Sequence, residues 1–139
     1  MLFYWFTDSS FAINCGGPSI TSSSTGTVYE EDEATLGPAS YNVTDTIRWA
    51  VGNLGSFGEN NNATYISNSQ SQFTNTLDPE LFQSARLSPG SLRYYGLGLE
   101  NGNYTISLKF AETAFEYGQT WRSVGKRVFN IYVQVCMLN

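Results

Sequence analysis

Residues Tyr94 to Glu112, YYGLGLENGNYTISLKFAE, constrain the fold more than any other stretch of the chain. Asn101-Gly102 separates two apolar runs, and both residue types tolerate the positive φ that a type I′ turn demands. After the turn, Tyr104, Ile106, Leu108 and Phe110 alternate with Thr105, Ser107 and Lys109. A period of two sets one face against a core and the other in water, the pattern of a half-buried strand. The stretch is therefore expected to form a β-hairpin, Leu92–Leu99 against Tyr104–Phe110. Adjacent residues of an extended segment point to opposite faces, so one of Tyr94 and Tyr95 is expected in the core and the other on the solvent side. A sequon, Asn103-Tyr104-Thr105, lies beside the turn. Hairpin and sequon together point to an extracytoplasmic β-domain.

The rest of the chain reads the same way. Phe11–Asn14 is a short strand candidate ended by Cys15-Gly16-Gly17-Pro18, and residues 19–28 are rich in Ser and Thr and read as loop. Asp45–Val51 places Ile47, Trp49 and Val51 on one face and Arg48 and Ala50 on the other. Tyr65-Ile66 begins an extended piece, and Leu81–Leu87 is apolar enough for a strand. Arg127–Val135 alternates again, with Phe129, Ile131, Val133 and Val135 on one face. No segment keeps a helical period over three turns. Short strands punctuated by turn signals suggest a sandwich or jelly-roll-like all-β fold.

Composition narrows the function classes. The length of 139 residues suits one domain. Only 14% of residues are charged, aromatics make up 15%, and the net charge is −5. Seven scattered Lys and Arg residues form no basic stripe, which argues against a nucleic-acid partner. The chain contains no histidine, which removes Ser-His-Asp and Cys-His catalysis along with the commonest transition-metal ligand. Two cysteines, Cys15 and Cys136, are too few for a four-thiolate zinc site. If paired, they would close a loop of about 120 residues and stabilise by about 4–5 kcal/mol in the chain-entropy model. Glu30-Glu31-Asp32-Glu33 lacks the spacing of a calcium loop and reads as a solvated acidic loop. Glu112 and Glu116 offer no reason to act as a glycosidase pair, which needs a cleft and one raised pKa. No apolar run approaches a membrane span, and Leu2–Phe6 is too short for the core of a secretion signal. Three sequons, at Asn42, Asn62 and Asn103, without a visible secretion signal suggest a fragment of a longer protein.

Several motifs in order, Ile13-Asn14-Cys15-Gly16-Gly17, Trp49-Ala50-Val51, Leu81-Phe82-Gln83-Ser84-Ala85-Arg86, Tyr94 to Glu112 and Arg127 to Gln134, resemble the malectin domain of plant leucine-rich-repeat receptor-like kinases. The resemblance spans residues 11–134 as one malectin domain, with residues 1–10 and 135–139 as flanks outside the family pattern. It implies a malectin-like β-sandwich whose C-terminal strands are missing here. It also implies a non-catalytic module on the extracellular side of a single-pass receptor, without a cofactor, binding a carbohydrate, a cell-wall ligand or a protein co-receptor. In the animal member of the family a Tyr-Phe pair follows the Ala-Glu that ends the hairpin strand. Here Thr113, Ala114 and Phe115 follow Ala111-Glu112, so one ring of the pair remains, and a second ligand Tyr aligns with Leu87. The resemblance leaves Glu112, Phe115, Tyr117 and Trp121 as candidate ligand residues, with packing at the end of the sandwich as the alternative role for the rings. It also suggests a disulfide from Cys15 to a partner outside this chain.

Overall fold

The computed structural model describes residues 10–57, 65–112 and 128–134. Among these, eight strands and one turn of 3-10 helix are present: β1 Ala12–Asn14, β2 Ile20–Thr21, β3 Val28–Glu31, β4 Ala39–Val43, β5 Trp49–Leu54, β6 Ile66–Asn68, the 3-10 turn Pro79–Phe82, β7 Ser84–Arg86 and β8 Ser91–Gly96. They form three small sheets, ordered β1-β3-β2, β4-β5-β8 and β6-β7. The β1–β3 pair is parallel and the other pairs are antiparallel. The all-β fold class expected from the sequence, with a malectin-like sandwich, is what this strand-rich architecture fits.

The centre of the molecule is β5. Its register sets Val51 opposite Tyr94 and Asn53 opposite Leu92, so Trp49, Val51, Leu92 and Tyr94 share the inner face. Leu36, Trp49 and Val51 form the buried cluster, and Phe11, Ile13, Ala34, Leu92 and Tyr94 pack against it. The Trp49 and Tyr94 rings lie 5.9 Å apart. Tyr95 is on the opposite face and 38% exposed, as the alternation requires. Ala50 is also fully buried, so Trp49-Ala50-Val51 is a continuous buried run rather than an alternation, while Leu54 at the strand end is exposed.

Several expectations are corrected. The hairpin of Leu92–Leu99 with Tyr104–Phe110 does not form. Ser91–Gly96 pairs instead with β5, where it buries Leu92 and Tyr94, and the chain turns away early. Gly98 has φ +68, and at Gly96 a Cβ would stand 2.6 Å from Leu99 Cδ1. Residues 103–112 are exposed and carry no strand. The same holds for residues 128–134, where Phe129 meets Phe110 at 5.5 Å.

The strand read over Asp45–Val51 begins only at Trp49. Thr44 and Trp49 close a tight turn instead, in which the Thr44 Oγ1 hydroxyl donates to Trp49 O at 2.9 Å. Ile47 sits there at φ 56 and 65% exposed. Leu81-Phe82 belongs to the 3-10 turn, which Pro79 opens with its preset φ; the strand is only Ser84–Arg86.

A further correction concerns the acidic run, which is solvated only at Glu31 and Glu33. Glu30 and Glu31 lie in β3, and Asp32 is 2% exposed. Glu30 accepts from Arg48 Nη1 at 2.6 Å, Trp49 Nε1 at 2.8 Å and Thr46 Oγ1 at 3.1 Å. It thereby ties the first sheet to the central strand.

Candidate ligand cleft and the polar centre

The sequence motifs converge on one buried polar centre. Arg86, at the end of β7, donates through Nε to Asp32 Oδ2 at 2.9 Å, through Nη2 to Asp32 Oδ1 at 2.6 Å and through Nη1 to Ala34 O at 2.9 Å; Nη2 also reaches the Asp32 carbonyl. The two side chains are 0% and 1% exposed. The Tyr94 hydroxyl donates to Asp32 Oδ2 at 2.7 Å, and the Gly16 amide donates to the same oxygen at 3.1 Å. Gly16 is held at φ +81 with its Cα so close to β7 that a Cβ would lie 2.7 Å from Ala85 C and Arg86 N.

This network sets the protonation of its members. Burial lowers the Arg86 pKa, but the hydrogen bond and charge of Asp32 outweigh it and leave it above the ordinary value. Burial, reinforced by Cys15 and Asp32, pushes the Tyr94 phenol well up. Cys15 is free and exposed as a residue, while desolvation of its thiol raises the pKa against the opposing hydrogen bond of Tyr94. With every acceptor of Asp32 engaged and no opening to solvent, the centre is structural.

A second polar lock lies under the loop before the 3-10 turn. Asp78, 5% exposed, accepts from Ser22 Oγ at 2.9 Å and from Ser24 Oγ at 3.0 Å. Desolvation raises its pKa, but the serine hydrogen bonds prevail and the net shift is downward.

The open feature is a cleft of about 190 Å³ lined by Phe73, Thr74, Asn75, Thr76, Phe82, Phe110 and Ala111. The Asp78 lock anchors the loop that supplies Phe73–Thr76, and the 3-10 turn supplies Phe82. The Phe73 and Phe82 rings pack at 5.7 Å. Asn75 adopts φ 63, a left-handed conformation that asparagine tolerates better than most residues. Apolar rings beside an amide and two hydroxyls are the chemistry that reads a sugar, with C–H faces on the rings and hydroxyls on the polar groups. No charged side chain lines it.

Of the ligand residues expected from sequence, Glu112 is exposed and follows directly on the cleft residue Ala111. Phe115, Tyr117 and Trp121 lie outside the described residues. Leu87 is half-buried, with its amide donating to Tyr65 O at 2.8 Å. Asn103 is exposed, whereas Asn42 is half-buried within β4 rather than in a loop; Asn62 and Cys136 lie outside the described residues. Sequence reasoning missed Phe73, Asn75 and Phe82 as a group. The only signal was a ring set in a polar loop ahead of Asp78-Pro79. Among the described residues no group of three or more His, Cys, Asp or Glu could hold a metal ion, and no helix is long and apolar enough to cross a membrane.

The architecture and the convergence of its motifs define an all-β domain held by a buried Arg–Asp–Tyr centre. The malectin domain model matches residues 9–138, and the chain belongs to that family. Two probable LRR receptor-like serine/threonine-protein kinases of Arabidopsis thaliana are 58% and 54% identical to it over 128 residues, each alignment covering 91% of this chain and 12% of the kinase. A third, RFK1 of the same plant, is 35% identical over 129 residues, covering 88% of this chain and 12% of its own length. The chain thus spans about an eighth of the length of these relatives. No solved structure matches it.

Proposed function

We propose that this chain is a non-catalytic ligand-recognition module on the extracellular side of a receptor-like kinase, and that it takes a carbohydrate in the Phe73–Phe82–Phe110 cleft. The cleft is the observation that carries the reading, because it joins ring faces to an amide and hydroxyls without any charged group. Its neighbour Glu112 is exposed, and Phe115, Tyr117 and Trp121 are proposed as further ligand residues on the grounds of the sequence. Kinase relatives that are much longer than this chain support the receptor context. The exposed Asn103 suits an N-glycan acceptor, and that modification accords with an extracellular position.

An oligosaccharide array probed with the folded chain tests the reading. Binding is expected to weaken by about 3- to 10-fold in Phe82→Ala, given the roughly 0.5–1.5 kcal/mol carried by an aromatic contact. A flat array with folded protein would reject it.

A second reading, docking of a protein co-receptor without sugar, is favoured by one observation. Tyr104, Ile106, Leu108 and Phe110, with Phe129, Ile131 and Val133, are 42–64% exposed, a larger apolar display than scattered surface residues make. Under this reading Ile106→Asp would abolish co-receptor capture and leave the array profile unchanged.

A further inference from the structure

The outer face of the β4-β5-β8 sheet is built differently from the cleft. Register places Tyr41, Gly52 and Arg93 in one row across the three strands, and Val43, Ala50 and Tyr95 in the next. Ala39, Leu54 and Ser91 complete the face. The central strand thus contributes Ala50 and Gly52 beneath Tyr41 and Tyr95, with Leu54 exposed at the end of the face. At Gly52 a Cβ would lie 3.6 Å from Tyr95 Cε2 and 3.7 Å from Tyr41 Cδ2. The two tyrosine rings meet above this floor, edge to face, with centroids 5.7 Å apart. Tyr41 is 59% exposed, so its ring presents an open face. Arg93 is exposed beside them. The nine residues of this face include one cation and no carboxylate, in a chain of net charge −5.

We propose that this face is a separate saccharide site that takes a short carboxylate-bearing oligosaccharide, with a sugar ring on Tyr41 and Tyr95 and the carboxylate on Arg93. Ring stacking and the guanidinium supply the two contacts that a uronic acid unit needs. Size selects a saccharide over a protein. Three strands about 4.8 Å apart, with a rise of about 3.3 Å per residue, give a face of about 10 by 15 Å. A stable protein interface covers about 800 Å² on each partner, several times that area, whereas two or three sugar units fit. Charge selects a short ligand over a polymer. The net negative charge repels every carboxylate within a Debye length of about 10 Å in 0.1 M salt, so a long polyanion gathers more repulsion than a trimer for the same single Arg93 contact. None of these residues lines the cleft, so the two sites fail or stand separately.

The test is a calorimetric titration of the folded chain with a galacturonate trimer and with the neutral galactose trimer. The acidic trimer is expected to bind about 10-fold or more tighter, the margin of a charge-assisted hydrogen bond. Arg93→Gln should erase that preference, and Tyr41→Ala should weaken both trimers. Phe82→Ala should change neither, which separates this site from the cleft. Both outer-face side chains are exposed, and an unchanged thermal transition checks that the variants fold. Equal binding of the two trimers, binding of neither, or a preference that survives Arg93→Gln overturns the proposal.

Discussion

Arg86 and Asp32 illustrate how a buried ion pair acts in a small domain. Desolvating two charges is expensive, and only saturation with hydrogen bonds makes the pair tolerable. Here Tyr94, the Gly16 amide and the Ala34 carbonyl complete that saturation. Truncating one partner leaves the other charge buried and alone. Arg86→Met is therefore expected to lower the unfolding free energy by about 3–5 kcal/mol, measured by urea denaturation. The double variant Asp32→Leu/Arg86→Met should recover a large part of that loss, since it removes both buried charges. If the double variant is no better than the single one, the network acts through geometry beyond charge pairing. Trp49 works through packing as well as through its bond to Glu30. Trp49→Ala should cost about 3–5 kcal/mol in the same assay.

The informative elements are the tight turns that bring strands together. The Cys15-Gly16-Gly17 turn carries the chain out of β1 and presses its backbone onto β7. At Gly16 a positive φ is combined with two backbone atoms only 2.7 Å from where a Cβ would stand, so a methyl group has nowhere to go. Gly16→Ala is expected to lower the melting temperature by 10 °C or more, on the order of 2–4 kcal/mol of backbone strain and displacement. Gly26 also has a positive φ, +70, but open space around it, and Gly26→Ala should cost only the strain of about 1 kcal/mol. Comparing the two melts separates crowding from conformation. The same turn explains why Cys15, next to Gly16, lies beside Tyr94, Asp32 and Arg86.

Across the whole molecule, the titrating groups bound the pH range of stability. Tyr94 and Cys15 both have raised pKa values, so the folded state holds their protons more tightly than the unfolded chain. Their contribution is complete below the unfolded values, 9.0 for the thiol and 10.0 for the phenol, and is lost as pH rises above them. Asp78 is shifted the other way. Its contribution is present above its ordinary value of 3.8 and lost as pH falls through the lower folded value. The unfolding free energy is therefore expected to be flat from about pH 5 to 8, to fall above pH 9 and to fall again below pH 4. Tyr94→Phe should remove the part of the alkaline limb that sets in above 10.0, leaving the Cys15 part and the acid limb. A wild-type alkaline limb that survives unchanged in Tyr94→Phe would assign the loss to another group.

The amino-acid sequence alone settled the fold class, the opposite facing of Tyr94 and Tyr95, and the family, because alternation, turn chemistry and motif order are local properties written in neighbouring residues. It also marked Cys15-Gly16-Gly17, Trp49-Ala50-Val51 and the Ala85-Arg86 segment as special without saying why. The tertiary structure decided the rest. Asn101-Gly102 promised a hairpin, but β8 pairs with β5, since burying Leu92 and Tyr94 against Trp49 and Val51 outweighs a local turn preference. Glu30–Glu33 reads as solvated because charge in a sequence reads as surface; only the long-range arrival of Arg48, Trp49 and Arg86 buries Asp32 and half-buries Glu30, while Glu31 and Glu33 stay exposed. The cleft joins Phe73, Phe82 and Phe110, and the outer face joins Tyr41, Gly52, Arg93 and Tyr95. Both are assembled from positions far apart in the chain, and no local pattern records such a meeting. The Tyr94–Glu112 stretch shows the division most plainly. Its alternation fixed that the two tyrosines face opposite ways, while pairing with a segment some 45 residues upstream decided that Tyr94 is the one facing the core.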